Sequence, residues 1–121
     1  MISLLQAGVK RSGLTQIETK LSAVDDVKLP ASSLDLAIMV DVYHELAYPY
    51  EVMASLLKAL KPGGRVVFVE YKAEDPLVPI KQLHKMSEAQ IKREAAVFAL
   101  DWERTVRTLP WQHVVVFRKR N

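Results

Sequence analysis

Apolar and polar positions change period several times along this chain, and the changes mark out its elements. Residues 3–12 (SLLQAGVKRS) read as a short helix that fades at Gly13. From Ile17 to Val24 apolar and polar residues alternate (Ile17, Thr19, Leu21, Ala23), which predicts a strand. Asp25-Asp26 and Leu29-Pro30-Ala31-Ser32-Ser33 carry turn chemistry. Leu34 to Val42 (LDLAIMVDV) is apolar at nearly every position, the pattern of a strand covered on both faces in a parallel sheet.

Pro49 suits a helix start, where its missing N–H would have no partner in any case. Val52, Met53, Leu56, Leu57 and Leu60 follow with i, i+3, i+4 spacing and define one apolar face. Lys61-Pro62-Gly63-Gly64 stops this helix, because proline cannot continue it and glycine accepts a left-handed turn. Arg65 to Tyr71 (RVVFVEY) predicts a second buried strand, and residues 72–86 a long connection. Ser87 and Gln90 have the spacing of a capping box, opening a helix with Ile91, Ala95 and Phe98 on one face. Two closing strands follow, near Trp102 to Thr108 and His113 to Lys119, with a turn at Leu109-Pro110. Alternating helices and buried strands predict a layered α/β sheet, with an antiparallel hairpin formed by the last two strands.

At 121 residues, with half of them apolar and 26% charged, the chain fits one ordered domain. The absence of cysteine excludes disulfides, thiolate metal sites and cysteine nucleophiles. Its four glycines form neither G-x-G-x-x-G nor G-x-x-x-x-G-K-[ST], so no phosphate-cradling loop of a recognised type is present. Apolar runs such as Leu36 to Val40 fall far short of the ~20 residues that cross a membrane. The first residues lack the pattern of a secretory leader, so the cytoplasm is the expected location. Net charge is +3, and five cations with no acid fall between Arg104 and Asn121. Without a pattern of stacking aromatics this basic end reads as a solvated terminus, and nucleic-acid binding is not expected.

The strings LPASSLDLAIMVDVYHEL and LKALKPGGRVVFVE closely resemble the class I S-adenosylmethionine-dependent methyltransferases. In that family an acidic turn and Leu-Pro precede the fourth strand, and a helix ends in Lys-Pro-Gly-Gly before the fifth. The closing hairpin is similar to the family's last two strands. The resemblance runs from about residue 4 to 119 and implies a Rossmann-like sheet of parallel strands with an antiparallel C-terminal hairpin and helices on both faces. It also implies that residues 1–121 form a single partial domain, the C-terminal two-thirds of the fold. The first strand, its glycine-rich cofactor loop and the second strand with its ribose-binding acid have no counterpart here.

What carries over from the family is a short set of positions. Asp25, four residues before Leu29, matches the acid that meets the adenine amino group, with Asp26 as the fallback. Val40 and Asp41, at the end of the fourth strand, match positions lining the cofactor, consistent with ligand binding beyond strand C-termini in α/β sheets. His44, at the strand-to-helix corner, is the candidate catalytic base, since an imidazole near neutrality can take a proton from a methyl acceptor. Glu70, Glu74, Asp75 and His84 gather after the fifth strand, and with His44 they offer oxygen and nitrogen ligands. No pair has a tight ligand spacing, so no metal is expected. Val97 stands where relatives commonly end a helix with glycine, which predicts a different helix end.

Methyl transfer from S-adenosylmethionine to a small-molecule acceptor is therefore expected by resemblance. With two of three anchoring elements missing, the chain alone should bind this cofactor weakly or not at all. The alternative is a non-catalytic remnant that serves in self-association or partner binding. In the family's sheet, the strand at 34–42 would have a bare inner edge. Either residues 17–24 swing in to pair with it, or a second copy of the chain does, which predicts a homodimer or higher oligomer.

Overall fold

The computed structural model describes all 121 residues. Its organising element is β2 (Leu60–Lys72), a strand of 13 residues. On one side β1 (Leu34–Val40) runs parallel to it, pairing Leu36 with Arg65 through Val40 with Val69. On the other side β5 (Gln112–Lys119) runs antiparallel, and β4 (Leu100–Val106) pairs antiparallel with β5. The order is β1-β2-β5-β4, and the two-residue β3 (Lys85–Met86) adds to the far end of β2 in parallel. The expected mixed sheet with an antiparallel C-terminal hairpin is present.

Helices follow their sequence signals. α1 (Ile2–Ser12) ends at Gly13 in the left-handed conformation. α2 (Pro49–Ala59) starts at its proline and buries Val52, Met53, Leu56, Leu57 and Ala59. α3 (Glu88–Ala95) is capped by Ser87, whose side chain accepts from the Gln90 N–H at 3.0 Å. The other half of the expected capping box is not made, because the Gln90 amide donates to Glu94 Oε2 instead. α3 ends without a left-handed residue: Ala96 is right-handed, so Val97 has no such strain to bear.

Side chains alternate across β2 and divide the sheet into two unequal faces. Val66 and Phe68 with Val115 and Phe117 meet Met53, Leu56 and Leu57 of α2 and Ile91 and Ala95 of α3, forming the main core. Phe68 sits edge-on to both Tyr43 and Phe117, with centroids 5.1 and 5.6 Å apart. The opposite face holds only Val67, Val69 and Val116 as buried residues.

Two expectations are corrected here. Residues 17–24 form no strand, and Leu21 and Val24 are exposed. Alternation equips a segment to cover a sheet but supplies no pairing partner, and here none pairs. The strand at 34–42 is shorter than expected and not covered on both faces: Leu36, Ile38 and Val40 remain 54%, 58% and 49% exposed. α2 and α3 share one face of the sheet, and α1 buries no residue. No helix is long and apolar enough to cross a membrane.

Lys61-Pro62-Gly63-Gly64 ends α2 and also opens β2. Leu34 pairs with Leu60 and Leu36 already with Arg65, so the four residues bulge out of the ladder. Gly63 supplies φ +78°, a left-handed value that disfavours a side chain. Gly64 is required for space instead, since an added Cβ would lie 2.8 Å from Leu60 Cγ and 2.9 Å from the Lys61 carbonyl oxygen. A second irregularity falls between Trp102 and Arg104, and it leaves Glu103 without a cross-strand partner. There Glu103 reaches Arg65 Nε at 2.7 Å and Arg118 at 3.0 Å, bridging two guanidinium groups that face each other across β2 and β5.

Two measurements test this framework. Gly64→Ala should destabilise the chain by about 1–3 kcal/mol, as overpacking does, in chemical denaturation; an unchanged midpoint would remove the close approach. Hydrogen bonds from Arg65 and Arg118 hold the Glu103 carboxyl down at about 2. A depressed acid stabilises the fold above its unfolded titration range, and that contribution disappears as pH falls through about 2. Glu103→Gln should flatten that part of the acid-stability curve, more visibly at low salt.

Candidate functional site at the ends of β1 and β2

β1 and β2 run parallel, so both deliver their C-terminal residues to one end of the sheet. Asp41 follows β1 directly with φ +54°, an uncommon backbone state for a residue with a side chain. Its N–H donates to the Val69 carbonyl at 2.8 Å, which ties the turn to β2. A short 3₁₀ turn, Tyr43–Glu45, follows and presents His44. Tyr43 anchors this turn: its ring is buried in the core, and its hydroxyl donates to Glu94 Oε1 at 3.0 Å. Burial, with the Glu94 carboxylate beside it, pushes the Tyr43 hydroxyl's pKa up.

Glu70 lies near the end of β2 and is completely buried. One of its oxygens, Oε1, is 2.5 Å from His44 Nδ1. The other, Oε2, is buried without a partner. Burial pushes the Glu70 carboxyl up, the hydrogen bond and charge of His44 oppose that rise, and the Asp41 charge adds to it. An ionised carboxylate only accepts, so Nδ1 carries the proton of this bond, and in the neutral imidazole Nε2 keeps a lone pair. Asp41 is held similarly: Gln112 Nε2 donates to its Oδ2 at 2.8 Å, while its Oδ1 is buried and unpartnered.

The lone pair of His44 Nε2 faces a second short turn, Gln82–His84, in the connection that the sequence leaves irregular. His84 Nδ1 lies 3.4 Å from His44 Nε2, and Glu45 Oε1 lies 3.6 Å from the same atom. A cavity of about 470 Å³ opens over this group, lined by Asp41, His44, Glu45, Tyr71, Lys81 and His84 among others. Its size falls within the range of small-molecule sites, roughly 300–1,000 Å³.

The structure therefore gathers some of the residues singled out from sequence and leaves others apart. Asp41 and His44 line one cavity, joined by Glu45 and His84. Val40 ends β1 beside them, half exposed and outside the lining. Asp25 and Asp26 are exposed and outside that cavity. Asp26 Oδ1 accepts from the Lys28 N–H at 2.7 Å in a local turn, and the Val27 N–H donates to Ser55 Oγ at 3.0 Å, fastening that turn to α2. Glu74 accepts from the Glu88 N–H at the start of α3, and Asp75 from the Leu77 N–H in a local turn, so neither lines the cavity.

Gln112 is the site residue that sequence reading misses. It is 71 positions from Asp41 and meets it only because β5 lies against β2. Glu70 did carry a signal, a lone acid in an otherwise apolar strand segment, but its partner could not be read from spacing.

Comparison with known proteins agrees with this architecture. A family model described as a methyltransferase domain matches residues 1–68. Over 80 residues the chain is 31% identical to a ribosomal RNA small subunit methyltransferase H from Lactobacillus gasseri, covering 66% of this chain and 25% of that protein. Among solved structures, a SAM-dependent methyltransferase from Aquifex aeolicus superposes with a TM-score of 0.88 at 20% identity, over 97% of this chain and 62% of that one. The trans-methyltransferase CalH, solved in complex with SAH, superposes with a TM-score of 0.78 at 13% identity, over 98% of this chain and 40% of that one. At such identities the likeness is one of fold. The chain spans about a quarter of the length of the curated relative and under two-thirds of these structures.

The buried pair gives a direct test. His44→Phe should cost about 3–5 kcal/mol, because it leaves Glu70 buried without its partner. Adding Glu70→Met should recover most of that loss in a double-mutant cycle read by denaturant unfolding. Additive losses would mean that the two side chains do not depend on each other.

Proposed function

Because this chain belongs to the methyltransferase domain family, we propose that it contributes the acceptor side of a site transferring a methyl group from S-adenosylmethionine to a small molecule. The observation that carries this reading is the His44–Glu70 pair, which opens at the C-terminal ends of two parallel strands into a cavity of small-molecule size. S-adenosylmethionine is the cofactor by resemblance; when bound it supplies a methyl group on a positively charged sulfur. The residues here suit part of such a ligand. Asp41 lines the cavity beside His44, and its Oδ1 has no partner within the chain. Asp25, with Asp26 as its alternate, is assigned to the adenine amino group, and Val40 to the cofactor's apolar flank.

The bound cofactor would supply the methyl group and leave as a neutral thioether once its carbon–sulfur bond breaks, and His44 Nε2 would take the proton that the acceptor loses. Glu70 holds the ring in the tautomer that makes this possible, and its charge favours the imidazolium that results. The cytoplasm is the proposed location.

The cavity favours a small acceptor, whereas the named relative acts on ribosomal RNA. Assays with methyl-labelled cofactor against both acceptor classes separate the readings. The chain alone should transfer little label; with the cofactor-binding half of the fold supplied, label in a small molecule, with a loss of about 100-fold or more in His44→Asn, is the expected result. Label only in RNA moves the acceptor, and no label with either leaves the non-catalytic alternative.

None of this chain's four glycines lies in a cofactor-cradling loop, so calorimetric titration of the chain alone should detect little binding. A dissociation constant near 1 µM, equivalent to roughly 8 kcal/mol, would overturn that expectation. The reading also includes self-association. Residues 17–24 do not pair with β1, so its bare edge and the exposed Leu36 and Ile38 are assigned to a second copy. Light scattering should give twice the 13.7 kDa of one chain, and a monodisperse monomer counts against it.

A further inference from the structure

Three ligand atoms from two separate turns converge at the mouth of the cavity. His44 Nε2 and His84 Nδ1 are 3.4 Å apart, His44 Nε2 and Glu45 Oε1 are 3.6 Å apart, and His84 Nδ1 and Glu45 Oε1 are 3.7 Å apart. The triangle is close to equilateral. Ligands about 2.1 Å from a tetrahedral zinc ion are separated by roughly 3.4 Å, so one ion can reach all three atoms with little movement. A hydrogen bond explains the spacing less well, because the two imidazole nitrogens lie beyond the usual 2.7–3.2 Å range.

The surroundings of His44 give a second, independent indication. Its Nδ1 is engaged by the fully buried Glu70, which directs the Nε2 lone pair at the other two ligands. A carboxylate behind a histidine ligand fixes its tautomer and raises its basicity, as recurs at metal centres. The two rings stand nearly perpendicular, at 75°, so their contact is not a stack. His84 and Glu45 are partly exposed and leave an entry path from solvent, while the cavity supplies room for a fourth ligand.

We propose that His44 Nε2, His84 Nδ1 and Glu45 Oε1 bind a divalent transition-metal ion of the zinc class, with its fourth position open to the cavity. Two nitrogens and one oxygen suit zinc, cobalt or nickel better than magnesium or calcium, which prefer oxygen ligands. The site goes beyond the methyl-transfer reading and does not require it, since the cation binds without cofactor or acceptor. The two meet at one atom: a cation on Nε2 occupies the lone pair that otherwise accepts a proton. In the loaded state the open position takes an oxygen or nitrogen of the acceptor, and the cation lowers that group's pKa in place of the imidazole.

The test is a calorimetric titration of the full chain with zinc chloride, without cofactor, paired with the visible spectrum after addition of cobalt. One equivalent of zinc should bind, and cobalt should give the strong absorption of a four-coordinate site. His84→Ala is at an exposed position and should fold, yet it should weaken zinc binding at least about tenfold. Glu70→Gln, which touches no ion, should weaken it by about 10–100-fold. No zinc uptake by the folded chain overturns the site, as does uptake that His84→Ala and Glu45→Ala leave unchanged. Zinc binding without methyl transfer would sink only the functional reading, and methyl transfer without zinc binding only this site.

Discussion

The contact between Glu70 and His44 is the constraint around which the functional end of this molecule is arranged. A carboxylate with no exposure is costly to bury, and one of its oxygens has no partner at all. The cost is tolerable only while His44 stays in place, which requires the turn at Tyr43–Glu45 to hold its geometry. Tyr43 secures that turn from the core side, and the Asp41 N–H bonded to Val69 secures it from the sheet. The side chain that presents itself to the cavity is thus fixed from behind by packing, by a backbone bond and by a buried charge.

The same arrangement explains why this end keeps its geometry although the sheet is unevenly covered. β2 is paired on both sides, and α2 and α3 close over one of its faces. The other face carries three buried valines and leaves much of β1 open. Since the site hangs from the ends of β1 and β2 on the covered side of Tyr43 and Phe68, it does not need the open face to be filled. The cavity and the uncovered sheet face are separate features of one chain.

Much of the fold was legible in the sequence because its signals are local. Pro49, the i, i+3, i+4 stripe of α2, Lys61-Pro62-Gly63-Gly64 and the Ser87 cap each act within a few residues, and each element forms where its signal lies. The failures have one cause in common. Alternation over residues 17–24 and the apolar run of β1 describe what those segments could cover, but coverage depends on a partner elsewhere. Within the site, Asp41 and His44 could be picked from their position after a strand. Their supports, Gln112 and Glu70, come from other strands, and only the topology brings them near.

Glu70 also indicates which demands shaped this corner. A residue needed only to pack the end of β2 would be apolar, as Val67, Phe68 and Val69 beside it are. Replacing a buried ion pair with well-packed hydrophobic residues is often neutral or stabilising, so folding alone gives no reason for the carboxylate. What a buried acid does provide is a fixed tautomer on His44, with Nδ1 occupied and Nε2 free. That free atom faces Glu45 and His84 at the mouth of the cavity. Whether it takes up a proton or a cation, the same burial of charge makes it available, and departures from local packing rules of this kind concentrate at functional sites.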